Sequence, residues 1–152
     1  MDVSEVLWGM YEEHCSQGRH YEGQRAAVTN LILALAAAMT AVLSFRAFSP
    51  EMWPLAALVL VLGLFGTLFS MKHYERFRFH MKCAEEYGNA LEKMLPASKI
   101  TELRKKAKAA HEAQFLLLPP VHLIVFWLSL HLAIAALGAV LLWATLSSAI
   151  KI

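Results

Sequence analysis

Two stretches of this chain combine positive charge with ring surface. Lys72-His-Tyr-Glu-Arg-Phe-Arg-Phe-His80 interleaves bases with aromatics, and Arg104-Lys-Lys-Ala-Lys108 sets four cations within five residues. Cations neutralise phosphates and aromatic faces stack on bases, so this is the chemistry by which a phosphorylated or single-stranded nucleic ligand would be held. The same composition beside an apolar helix also anchors it to anionic lipid and sets its topology. Both readings stand on the sequence alone. The residues that would sense an anionic ligand are Arg76, Arg78, Arg104, Lys105, Lys106 and Lys108.

Other reactive side chains point to less. His73, His80 and Cys83 lie near one helical face, with His14 and Cys15 elsewhere in the chain, but their spacing matches no zinc pattern, and no metal or cofactor is expected. Cys15 and Cys83 fall in polar segments and read as reduced thiols rather than a disulfide. His131 sits near the middle of an apolar run, where an ionisable group is costly. It is either a neutral imidazole bonded to a neighbouring helix or a gate on a proton or ion path. The chain holds no Gly-rich phosphate loop, no Gly-x-Ser-x-Gly turn and no His-Glu-x-x-His pair, so no catalytic residue is assigned and an enzyme is not expected.

The elements that position these groups are membrane helices. Of 152 residues, 58% are hydrophobic and only 17% charged, which places the chain in the membrane class. Residues 26–45 and 52–71 are twenty-residue stretches free of charge. At 1.5 Å per residue each reaches about 30 Å, the thickness of a bilayer's hydrocarbon core. Only six residues, Arg46 to Glu51, join them, so the two spans form an antiparallel hairpin. A third uncharged stretch, 121–149, follows Pro119-Pro120.

The first 25 residues, with five acids and two arginines, lack the apolar region of a cleavable signal and read as an amphipathic helix. Its stripe is Val3, Leu7, Met10, His14, Gln17 and Tyr21, weakening near Ser16 to Arg19, where a break is possible. Residues 72–118 read as a helical pair. Tyr74, Phe77, Met81, Ala84, Gly88, Leu91 and Leu95 make a heptad seam that continues the second span, and Pro96 ends it. Ser98 is the expected cap of a following helix with Ile100, Leu103, Ala107, Ala110, Gln114 and Leu117 on one stripe. The fold expected is therefore all-α: three transmembrane helices and a cytosolic helical bundle formed by residues 1–25 and 72–118.

Within the first span Asn30, Ala34, Ala37, Ala41 and Ser44 form a small, weakly polar stripe. Such a stripe lets helices approach closely, or lines a water path in an oligomer, in which case Asn30, Ala37, Thr40 and Ser44 face the pore. Gly63, Thr67 and Ser70 make a second small face that can meet the first. Orientation follows from the bases. Twelve of the fourteen lysines and arginines fall in residues 1–25 and 72–118, against Arg46 and Lys151 on the other side. The positive-inside rule puts the N-terminus and the helical pair in the cytoplasm.

A helix bearing Trp8 and Tyr11, then Tyr21-Glu-Gly-Gln-Arg25 opening a tight hairpin, then a long helix from Arg76 to Glu92, resembles the small bacterial membrane effectors called SLATT domains. The likeness covers Val3 to Leu95. The third span departs from their two-span pattern and is closer to the membrane effectors of Hailong defence systems. The resemblance implies a homo-oligomeric, ion-conducting pore in the bacterial inner membrane, acting in antiphage defence. It also implies a nucleotide or oligonucleotide signal made by a partner nucleotidyltransferase. A non-conducting scaffold or accessory subunit, docking a partner through its cytosolic helices, is the alternative from another class.

Overall fold

The computed structural model describes residues 2–115 and 122–149. Every regular element among them is helical: α1 (Val3–Phe45), α2 (Trp53–Met94), α3 (Ile100–Gln114) and α4 (Leu123–Ala149), with short 3-10 turns at Pro50–Met52 and Pro96–Ser98. Three of the helices, α1, α2 and α4, contain stretches long and apolar enough to cross a membrane. Val121, the Pro119-Pro120 junction, Leu117 and Lys151 lie outside the described residues.

The chain divides into two compact units. Among the described residues, one comprises 2–23, 73–115 and His122, the other 24–72 and 123–149. Both draw on α1 and α2. The helix of α1 passes unbroken through Ser16 to Arg19, where the weakening stripe allowed a break. α2 runs on through Lys72, as its uninterrupted seam requires.

In the apolar unit, α1 ends where Ala47 and Phe48 take left-handed backbone angles (φ 49° and 52°), and the Phe48 amide reaches back to the Leu43 carbonyl at 3.0 Å. The Ser148 hydroxyl of α4 lies 2.9 Å from the Phe48 carbonyl and 2.8 Å from the Ala144 carbonyl of its own helix, so its single proton is shared between this turn and α4. The core is made by Ile32, Ala36 and Leu43 of α1, Ala56 and Val59 of α2, and Ile134 and Leu141 of α4. The outer faces carry Leu31, Val42, Val61, Leu68, Phe126, Val140 and Trp143, all exposed, while Arg25, Thr29, Ser70, His131 and Thr145 are buried. Polar groups inside and apolar groups outside reverse the soluble pattern and suit a lipid solvent.

The two small faces do not find each other within the chain. Gly63 and its neighbours do not meet the α1 stripe: a Cβ on Gly63 would strike the Ala135 backbone of α4, and one on Gly138 would strike the Leu60 backbone of α2. Glycine at these positions lets α2 and α4 approach backbone to backbone. The α1 stripe itself (Asn30, Ala34, Ala37, Ala41 and Ser44) is exposed.

The other unit packs α1 on α2. The seam of α2 is buried at Ala84, Gly88 and Leu91, as the heptad reading implies. The α1 face differs from the expected stripe. Gly18, read as a weak point, is buried, its Cβ position 2.6 Å from the Met81 terminal methyl, while Val3 and Met10 are exposed. A missing side chain at Gly18 lets α2 come close, and this rotates the contact face onto Leu7, Tyr11, His14, Gly18 and Tyr21. α3 is held chiefly at its start. From Glu102 onward its described residues are exposed, Leu103 at 61%. Its cap is not Ser98: Lys99 occupies that position with φ 50°, and no side chain caps the helix there. Instead the Glu92 carboxylate of α2 accepts the Thr101 amide at 3.1 Å and the Thr101 hydroxyl.

Candidate functional site

Three groupings carry chemistry, and each is built by different elements. The first is the outward stripe of α1. Asn30, Ala37 and Ser44 are exposed and Thr40 is half-exposed. The Thr40 hydroxyl donates to the Ala36 carbonyl at 2.7 Å and the Ser44 hydroxyl to the Thr40 carbonyl at 2.9 Å. With their protons committed within the helix, both oxygens present lone pairs outward, as acceptors for water or a hydrated cation.

The second grouping is the set of bases expected to sense an anion. Arg76 lies 3.9 Å from Glu75, Arg104 3.9 Å from Glu85, and Lys108 3.7 Å from Glu112. The Arg78 guanidinium sits 3.3 Å from the Tyr74 hydroxyl and 6.0 Å from its ring centroid. Lys105 and Lys106 are exposed on α3. These bases line two helices rather than one concave pocket. Their ion pairs are solvent-exposed and worth little, so a polyanion reaching several at once would displace the carboxylates at small cost. Beside them, two apolar hollows of about 340 and 200 Å3 share Trp8, Leu91 and Ile100. Tyr11 and Gly88 line the smaller hollow. Trp8 stacks on Tyr11 with centroids 5.5 Å apart, and the Arg104 guanidinium comes within 3.6 Å of the Gly88 Cβ position.

The third grouping joins His131, already singled out by its place in an apolar run, to residues that the sequence did not connect with it. Arg25 is 1% exposed, with its guanidinium 5.1 Å from the centroid of the Trp127 ring. One turn further along, Thr29 Oγ1 lies 3.1 Å from Nε2 of His131, itself 1% exposed. Gly66 of α2 packs against the His131 imidazole, where any Cβ would collide with the ring. α1, α2 and α4 thus meet at one polar layer inside the apolar unit. This supports the bonded reading of His131: the ring is a packed partner of Thr29 and Gly66. The signal available in sequence was only the sum of a lone histidine, a threonine and an arginine at the edge of a span.

Among the described residues no group of three or more His, Cys, Asp or Glu is gathered for a metal. Cys15 and Cys83 are free thiols. The Glu92 carboxyl is held below its ordinary value, first by the Thr101 hydroxyl and then by the Thr101 amide, with Arg104 and Lys105 adding smaller pulls. A depressed carboxylate contributes stability that is complete above its unfolded value, near pH 4.3, and lost as pH falls through the folded value. Amide protection at the start of α3 is therefore expected to drop on acidification from about pH 5 to about pH 3. Glu92→Gln should remove that step and lower protection at neutral pH. Hydrogen exchange read by mass spectrometry checks both, and an acid step that survives in the variant would contradict this role for Glu92.

No protein-family model matches the chain, and neither does any curated protein or solved structure.

Proposed function

We propose that the chain is a non-catalytic membrane effector that assembles with copies of itself into a ligand-gated, ion-conducting pore. Residues 1–25 and the segment after the second span lie in the cytoplasm, in line with the positive-inside distribution of lysine and arginine. The likeness to SLATT and Hailong membrane effectors extends the reading to antiphage defence in a bacterial inner membrane, with a nucleotide or oligonucleotide as signal. The observation that carries the pore is the outward α1 stripe: packing within one chain leaves Asn30, Ala37 and Ser44 uncovered. A face of small residues and outward lone pairs is poorly used against lipid and well used around a shared axis. A ligand held by Arg76, Arg78, Arg104, Lys105, Lys106 and Lys108 opens the pore to the extent that it binds the open packing more tightly than the closed one.

Planar-bilayer recording of the purified protein, before and after adding nucleotide and oligonucleotide mixtures, tests the reading. Discrete ligand-dependent currents are expected. Joint glutamine replacement of Arg104, Lys105, Lys106 and Lys108 should abolish the response without preventing assembly. Ala37→Trp should cut the open current by on the order of tenfold, as an apolar constriction does. Silence of an assembled oligomer under every mixture would overturn the pore, and currents indifferent to Ala37→Trp would overturn its lining by the α1 stripe.

A non-conducting scaffold is the second reading. Its support is the exposed Trp8 beside the hollow lined by Leu91, Leu95 and Ile100, together with the ion pairing of Arg76, Arg104 and Lys108 to the chain's own acids. An aromatic anchor next to an apolar hollow is how a docking surface is built.

A further inference from the structure

In the unit that packs α1 on α2, two imidazoles meet across the helices: the Nδ1 atoms of His14 and His80 stand 2.9 Å apart. At that separation one nitrogen donates a proton and the other accepts it, so at least one ring is neutral. Both rings are braced. His14 stacks on Tyr87 with centroids 5.5 Å apart and planes 19° apart, and His80 stacks on Tyr21 at 5.4 Å and 26°. Phe79 meets His80 edge-on at 5.3 Å, and Tyr21 in turn meets His73 at 5.6 Å. The rings therefore cannot swing away from each other without unstacking a phenol.

We propose that the His14–His80 pair is an acid-sensitive clasp between α1 and α2, closed while the two Nδ1 atoms share a proton and opened when both rings become charged. The bond survives one added proton, because an imidazolium still donates to a neutral partner. It does not survive two, since both nitrogens are then donors and two like charges face each other. The surrounding charges set the threshold. From α1 come His14, Glu13 and the Tyr21 phenol; from α2 come Arg76 and the Tyr87 phenol, with His73 reaching the pair through Tyr21. Burial foremost, then His14 and Arg76, hold His80 below the ordinary imidazole value, and Glu13 offsets part of this. A histidine so depressed contributes fully above its unfolded value, near pH 6.5, and its contribution is lost as pH falls below that value. The clasp thus gives this chain a response to acidification that needs no ligand.

The test is hydrogen exchange of the full chain in nanodiscs at about pH 7.5 and about pH 5, corrected for intrinsic exchange. These values lie on either side of the ordinary imidazole value. Amides of residues 10–21 and 76–88 are expected to exchange about tenfold faster at the lower pH. His14→Phe and His80→Phe keep the stacked rings but cannot take a proton, and should flatten that response. Independently of any variant, imidazole 15N shifts of the wild-type protein should show the His80 ring taking its proton below the ordinary imidazole value. Equal protection at both pH values, an undiminished response in His80→Phe, or a His80 ring taking its proton at or above the ordinary imidazole value would each overturn the clasp.

Discussion

Valine in place of Gly138 should separate α4 from α2 and cost the apolar unit about 3 kcal/mol of stability. The reason lies in what the added atoms would meet. A Cβ at Gly138 falls on the backbone of Leu60 and Val59, and one at Gly63 falls on the backbone of Ala135. Backbone in a helix cannot step aside as a flexible side chain can, so the two helices must move apart as bodies. Gly66 differs in kind, because its neighbour is the His131 ring, which could turn only by giving up its contact with Thr29. The same chain provides the control. Gly9 and Gly23 have nothing within 4 Å of their Cβ positions. Both lie inside α1, so Gly9→Ala and Gly23→Ala should stabilise by about 0.5–1 kcal/mol through backbone entropy alone. Thermal midpoints in one detergent settle the contrast. A Gly138→Val protein that unfolds at the wild-type midpoint would mean that α2 and α4 do not touch at this glycine.

What the sequence could and could not reveal follows from the range of each signal. Two uncharged twenty-residue stretches and a six-residue link are local facts, and the hairpin could be read from them. The α2 seam was equally legible, because Ala84, Gly88 and Leu91 repeat along one helix and need no knowledge of the partner. Pairing between elements was not legible. The small faces of the first two spans are chemically alike, and nothing local says that Gly63 prefers Ala135 to Ala37. The same holds for the helix start at Lys99, where a serine at 98 looked like the cap but a carboxylate nine residues before Thr101 does that work. Gly18 misled for a related reason. Absence of a side chain weakens an amphipathic pattern, yet it is what permits contact with Met81. The bases pointed to charge but not to grouping, and the structure leaves them along two helices.

Arg25 shows most plainly how one residue can serve two purposes. In sequence it ends a polar segment and counts toward the positive-inside bias; in the structure it is packed away with the Trp127 ring beneath its guanidinium. Arg25→Ala should destabilise the protein by about 2 kcal/mol or more, from the lost cation–π contact and the space left by the apolar stem. Two further substitutions separate these causes. Arg25→Met fills the volume of the stem without the charge, so it should recover the packing part of the loss. Arg25→Lys keeps the charge but offers no planar group to lie over an indole, and its ammonium is more costly to desolvate, so it should recover less than methionine. Thermal midpoints of the four proteins in one detergent give the order Arg, Met, Lys, Ala. If lysine matched the wild type while methionine did not, charge alone would be holding α1 near α4, and the stacking on Trp127 would be incidental.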